Sequence, residues 1–89
     1  MEFQKEEGRI FAVEGEKLLA EVIFPAQDGV AHIDRTFVDD SLRGQGIAGK
    51  LVRAAVDQIR ADGMKAQPTC SYAVTWFENH PEEADLLEK

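Results

Sequence analysis

Val38-Asp39-Asp40-Ser41-Leu42-Arg43-Gly44-Gln45-Gly46-Ile47-Ala48 joins two stretches of different periodicity. Before it, Val30, His32, Asp34 and Thr36 alternate with Ala31, Ile33, Arg35 and Phe37, and Val38 ends the run, which reads as a strand. After it, Ile47, Ala48, Leu51, Val52, Ala55, Val56 and Ile59 recur at helical spacing, with Lys50, Arg53, Asp57 and Arg60 on the other side. This predicts a helix over 45–62, stopped by Gly63. A glycine-rich turn that opens a helix is a place where a diphosphate can dock. Backbone N–H groups point outward there, the helix dipole is positive, and glycine lets the ligand come close. Glycines at such a join also serve turn geometry alone. The spacing lacks the third glycine of a dinucleotide-binding fingerprint, and no Lys-Ser or Lys-Thr follows at P-loop spacing. Asp39 and Asp40 read as a solvated turn or cap.

Upstream, residues 9–14 and Leu18 to Phe24 read as two further strands joined at Gly15-Glu16. Pro25-Ala26-Gln27-Asp28-Gly29 then turns the chain into the third strand, with Asp-Gly as the strongest signal. Downstream, Met64 to Gln67 is a short strand. Ser71 to Asn79 is a second helix, with Tyr72, Ala73, Trp76 and Phe77 as its apolar contacts and Pro81 limiting it. The acidic segment from Glu82 to Lys89 adds a turn through Leu86 and Leu87. The expected fold class is α+β (α/β): an antiparallel three-strand meander, a helix, a parallel strand and a helix, in one domain over 1–89. The last strand follows a helical crossover, so it should run parallel to the third.

Composition narrows the function classes. Seventeen acidic residues against 10 basic ones give a formal net charge of −7, which opposes non-specific attraction to nucleic acid or anionic lipid. Cys70 is the one cysteine, so an intrachain disulfide and a Cys-based zinc site are excluded, and no metal is expected. No apolar run approaches the roughly 20 residues needed to span a bilayer. The start, Met-Glu-Phe-Gln-Lys-Glu-Glu, carries no apolar signal segment. A reducing cytoplasm is the expected setting.

Arg43-Gly44-Gln45-Gly46-Ile47-Ala48 matches the Q/R-x-x-G-x-G/A signature of the GNAT acetyltransferase superfamily, at the strand-to-helix join where that family carries it. Thr36-Phe37-Val38 before it, Pro68-x-Cys70-Ser71-Tyr72 after it, and His80-Pro81 with Asp85-Leu86-Leu87 near the end resemble the minimal, single-domain members. The resemblance covers nearly the whole chain. It implies the minimal GNAT acyl-CoA N-acyltransferase fold and acetyl-CoA as the acetyl donor. It also implies that the backbone N–H groups of Arg43, Gly44, Gln45, Gly46, Ile47 and Ala48 hold the CoA pyrophosphate. The pantetheine arm would pair like a strand with Phe37 and Val38, entering where two parallel strands splay beside Cys70. Pro68 lacks an N–H, and is expected to keep the last strand from zipping onto the third.

Acetyl transfer to an amine needs a base for the amine proton, a donor for the oxyanion and an acid for the departing thiolate. Many GNAT enzymes carry N-x-x-A-x-x-x-Y in the helix after the last parallel strand, and its Tyr commonly serves as that acid. Here the frame reads Cys70-x-x-Ala73-x-x-x-Phe77, without a hydroxyl. Tyr72 is the only phenol and lies elsewhere on that helix. Cys70 could accept acetyl, steer the thioester or line the pocket, or it is a small buried hydrophobe. His32 and His80 are candidate bases, or a strand-surface and a helix-end histidine. The expected function is an acetyl-CoA-dependent N-acetyltransferase acting on an unidentified amine. The alternative is a non-catalytic acetyl-CoA or CoA-binding module with a regulatory or partner-binding role. Larger GNAT enzymes build their acceptor site from additional helices and strands that this sequence lacks. Its acceptor pocket is therefore expected to be shallow, built from the meander, or completed by a partner protein.

Overall fold

The structure, a computed structural model, describes residues 2–88; Met1 and Lys89, which the sequence reading includes in the domain, lie outside them. The described chain runs β1 (Gln4–Glu6), β2 (Arg9–Glu14), β3 (Lys17–Ile23), β4 (Ala26–Gln27), β5 (Val30–Ile33), β6 (Arg35–Val38), a 3-10 turn (Asp40–Leu42), α1 (Ile47–Ala61), β7 (Lys65–Pro68), α2 (Ser71–Glu78) and a second 3-10 segment (Pro81–Leu86). Four strands form an antiparallel sheet in the order β1-β2-β3-β6, and three form a second sheet in the order β4-β5-β7. The expected meander, helix, parallel strand and helix are all present. β1 is an addition. It is exposed throughout and polar, so it carries no apolar alternation, and it is held by its register with β2, Gln4 facing Phe11.

The third predicted strand is in fact two. Ile23 is the register partner of Arg35, yet the Asp34 N–H also donates to the Ile23 carbonyl at 3.0 Å. Two residues facing one are a β-bulge, and a bulge shifts the side-chain alternation by one. Ala31 and Ile33 are fully buried, as the alternation predicts. Beyond Asp34 the faces exchange: Val38 packs against the core, whereas Arg35 is exposed and its guanidinium lies over the Phe37 ring at 5.7 Å. Placing Arg35 and Phe37 on the same face as Ile33 was therefore wrong.

α1 closes one face of the sheets. Leu51, Val52, Ala55, Val56 and Ile59 are fully buried against Ile10, Ala20, Val22 and Ile33, and Ala73, Trp76 and Phe77 of α2 complete the same cluster. Each large aliphatic side chain buried this way contributes roughly 1.5–3 kcal/mol. Gly63, at φ 72°, ends α1, with the Met64 N–H donating to the Ile59 carbonyl at 3.1 Å. On the opposite face, Glu21 is buried with its carboxylate 2.5 Å from the Arg9 Nε, and the Arg9 guanidinium covers the Phe11 ring at 3.8 Å. Nothing in the alternation marks Glu21 as buried. Its pairing satisfies a charge that would otherwise be costly there.

The acidic C-terminal segment is fastened to α1 and β7. Arg60 reaches Glu83 at 2.9 Å and Asp85 at 2.8 Å, Arg53 reaches Glu83 at 3.1 Å, and Leu86 is buried. Leu87 bridges to Ala66 in parallel, and the Glu88 N–H donates to the Ala66 carbonyl at 2.8 Å. Hydrogen bonds from Arg60, then Arg53, hold the Glu83 carboxyl below the usual range, and those from Arg60 do the same for Asp85. Carboxyls lowered on folding stabilise the fold above their unfolded range, near pH 4, and that stabilisation is lost as pH falls through the lowered values. The melting temperature should therefore drop below about pH 4. Arg60→Gln should make that drop shallower and lower the melting temperature at pH 7, as differential scanning calorimetry across pH 2.5–7 would show.

Candidate functional site

The turn between β6 and α1 is built in two steps. Asp39 caps the first: its carboxylate accepts the Ser41 N–H at 3.1 Å and the Ser41 hydroxyl at 2.6 Å, with the Lys17 ammonium 3.5 Å away. The Ser41 hydrogen bonds, more than Lys17, hold the Asp39 carboxyl below its usual range. Arg43 closes this step, donating its N–H to the Asp40 carbonyl at 3.2 Å and pairing its guanidinium with the Asp40 carboxylate at 2.8 Å. Including the Arg43 N–H among those free for a ligand was therefore wrong.

The second step is the glycine pair. Gly44 sits at φ 84° and Gly46 at φ 71°, conformations that favour glycine. Gly46 is the N-cap of α1 and provides no side-chain cap. Among the described residues, the N–H groups from Gly44 to Gly49 donate to no backbone carbonyl; the first to do so is Lys50, to Gly46 at 3.2 Å. A helix start with consecutive unspent donors and no capping oxygen can seat an anion.

That seat opens on a groove of about 770 Å³ lined by Thr36, Phe37 and Val38 on one side, Arg43 and Gly44 on the turn, Ala48 on α1 and Tyr72 on α2. A smaller recess of about 180 Å³ continues under the turn beside Gly46, Ile47 and Gly49. Gln45 lines neither of these. β6 is the edge strand of its sheet, so its side away from β3 is unpaired. The Asp39 N–H donates to Leu19 at 2.8 Å, and donors to one neighbour alternate along an antiparallel strand. Phe37 therefore directs its backbone groups at β3, whereas Thr36 and Val38 direct theirs at the open edge. Of the two residues expected to pair with the pantetheine arm, Val38 thus faces the open edge and Phe37 does not.

β5 and β7 pair in parallel from Val30↔Lys65 to Ile33↔Pro68, and there the strands part. Pro68 is not the cause. Lys65 donates its N–H to Gly29, just before β5, and Thr69 donates to Ile33 at its end, so alternation aims the Pro68 nitrogen at the opposite edge. The parting comes from the Asp34 bulge on one side and from the start of α2 on the other. The Ile33 carbonyl collects the Thr69 N–H, the Cys70 N–H and the Thr69 hydroxyl, each at 3.1 Å, and that hydroxyl also meets the Asp34 carboxylate.

Cys70 is the N-cap of α2, its Sγ accepting the Ala73 N–H at 3.4 Å and lying 3.6 Å from the Thr36 Oγ1. It stands behind Thr36 at the parting and is half-buried. His32 is not brought to the glycine turn. It lines a separate depression with Pro25, Ala26, Gln27 and Asp34. His80 stacks on Trp76 at 3.9 Å, with its Nδ1 2.7 Å from the Trp76 carbonyl. Phe77 is buried in the core. Among the described residues no group of His, Cys, Asp and Glu could hold a metal ion, and no helix is long and apolar enough to cross a membrane.

Tyr72 is the residue that sequence reasoning missed. It is 41% exposed and lines both the groove and the recess, and its hydroxyl lies 3.5 Å from where a Cβ on Gly49 would stand. The available signal was Gly49 itself. A glycine inside a helix costs about 1 kcal/mol against alanine and often marks a close neighbour.

Residues 9–86 match the family model described as GCN5-related N-acetyl-transferase. A GCN5-like protein from Staphylococcus aureus, known from its NMR solution structure, superposes with a TM-score of 0.79 at 28% identity, covering 98% of this chain and 87% of that one. The ribosomal-protein-S18-alanine N-acetyltransferase from Escherichia coli superposes with a TM-score of 0.66 at 17% identity, over 85% of this chain and 54% of its own, a likeness of fold. Protein NATD1 from Homo sapiens is 35% identical over 52 residues, which are 58% of this chain and 46% of that protein. The mouse and chicken forms match over the same length. The chain thus spans about half the length of the curated relatives it matches.

Proposed function

The chain belongs to the GCN5-related N-acetyltransferase family, and from that premise we propose that it is an acetyl-CoA-dependent N-acetyltransferase acting on an amine. The observation that carries this reading is the run of unspent N–H groups from Gly44 to Gly49 beside the open edge of β6. The run would hold the CoA diphosphate. Thr36 and Val38 would pair with the pantetheine amides as an added strand, and the thioester would lie at the parting of β5 and β7, near Cys70. Tyr72 would close the groove from α2. The single domain over 1–89 would work in a reducing cytoplasm, with the amine entering a shallow site or one completed by a partner protein.

Direct transfer from acetyl-CoA to the bound amine fits better than an acetyl-Cys70 intermediate. The Cys70 sulfur already caps α2 and sits behind Thr36. A second reading, a non-catalytic acetyl-CoA-binding module, is favoured by Phe77, which fills the core where many relatives carry the tyrosine acid. The test is acetyl-CoA-dependent thiol release over a panel of polyamines, peptides and small amines, run beside calorimetric titration with acetyl-CoA. Binding with turnover supports the enzyme, and binding without turnover on any acceptor supports the module. No binding at millimolar acetyl-CoA sinks both. Mass spectrometry of the same mixtures would reveal a hydroxylamine-labile acetyl group on Cys70 if the covalent route operates.

A further inference from the structure

Four of the five arginines are spent on carboxylates: Arg9 on Glu6 and Glu21, Arg43 on Asp40, Arg53 on Asp57 and Glu83, and Arg60 on Glu83 and Asp85. Arg35 is the exception. It makes no ion pair among the described residues, in a chain that carries 17 acidic residues. The carboxylates of its own neighbourhood are engaged elsewhere. Asp34 accepts the Thr69 hydroxyl, and Glu21, on the adjoining strand, pairs with Arg9. The Arg35 side chain is nonetheless oriented: its guanidinium lies 5.7 Å from the Phe37 ring, within cation–π range, and Ile23 stands beside it in register. Arg35 follows Ile33, the last residue of the β5–β7 pairing, by two positions, so its Cα lies about 7 Å along the strand from the parting at most. On the α1 and α2 side of the parting, Ile33, Ala73 and Phe77 are buried together. Arg35 and Phe37 project from the other face, opposite Val38.

With the thioester at the parting and the helices closing one side of it, the amine arrives over the face that Arg35 and Phe37 present. We propose that Arg35 selects the acceptor by pairing with its carboxylate, so that the acceptor is an α-amino acid and not a polyamine. This assignment rests on the acetyltransferase reading above and names its substrate class. Phe37 and Ile23 offer apolar surface to the acid's side chain. The amine nitrogen bonds to the acetyl carbon, the C–S bond breaks, and the proton lost by the amine balances the one taken up by the departing thiolate. Arg35 favours this chemistry twice. It attracts the carboxylate, and its charge disfavours the protonated form of an amine held nearby, whereas transfer needs the neutral form. A polyamine would bring its remaining ammonium groups against a like charge. The net charge of −7 pulls the other way, but salt screens it beyond about 8 Å, so the group in contact decides.

The experiment is acetyl-CoA-dependent thiol release by the wild type, Arg35→Gln and Arg35→Lys. The acceptors are the protein amino acids, their α-carboxamides and spermidine. Arg35 is exposed, so both variants should fold and bind acetyl-CoA, as circular dichroism and titration calorimetry will verify. For the best amino acid, the wild type should show a kcat/KM at least about ten-fold above that of the matching carboxamide and above that of spermidine, the size of one charge-assisted contact. Arg35→Gln should bring that ratio to about one through a higher KM for the amino acid, and Arg35→Lys should restore part of it. A wild type that prefers carboxamides or spermidine, an Arg35→Gln variant that keeps the ratio, or one that slows amino acid and carboxamide equally would each overturn the assignment. Turnover of carboxyl-free amines alone removes only this assignment and leaves the acetyltransferase reading standing. Acetyl-CoA binding without turnover of any acceptor removes both.

Discussion

Gly46→Val should reduce acetyl-CoA affinity at least about 100-fold while leaving a folded domain. Gly46 holds φ at 71°, where a β-branched residue is strained by roughly 1–3 kcal/mol. No protein atom lies within 4 Å of where its Cβ would stand, so the protein itself raises no clash. The added side chain instead projects into open space next to the N-cap, and the strained φ disturbs the alignment of the neighbouring N–H groups. Binding therefore suffers more than stability. Calorimetric titration with acetyl-CoA beside a thermal melt separates the two. A folded Gly46→Val variant that binds like the wild type would remove the diphosphate seat from this turn.

Ile33→Ala should cost about 3 kcal/mol of folding stability. Ile33 is fully buried in the cluster between α1 and the sheets, and it stands at the last β5–β7 pair, where the strands part. Its loss leaves a cavity where β5, β7 and the start of α2 meet. A domain of this size is stable by roughly 4–13 kcal/mol, so much of the margin would go. Urea unfolding followed by circular dichroism should show a lower midpoint with an unchanged slope. A loss under about 1 kcal/mol would mean that the parting point is not packed as described.

The sequence was legible where one rule governed a stretch. The apolar spacing from Ile47 to Ile59 marked α1, Gly63 its end, and Gly44 and Gly46 the turn that opens it. It misled where a long-range contact decided the matter. Asp34 carries no local mark of a bulge, because the bulge exists only through the second N–H received by Ile23. Pro68 was read correctly as unable to donate, but the direction of its nitrogen depends on which neighbours Lys65 and Thr69 choose. Arg43 belongs to the motif, yet its N–H and guanidinium are both spent on Asp40, three residues back. Tyr72 was set aside for standing outside the expected frame. It entered the site because the first turns of α1 and α2 face each other across Gly49.

The bulge at Asp34 also fixes what would have to travel together in a transplant. Grafting only Arg35 to Ala48 onto a regular host strand would carry over the glycine turn but lose the change of side-chain parity. Arg35 and Phe37 would then point into the host's core, and Thr36 and Val38 would point out of it. The smallest portable unit therefore begins before the bulge, at Ile33 and Asp34. It also needs the host to supply a residue in the place of Ile23, whose carbonyl receives Asp34.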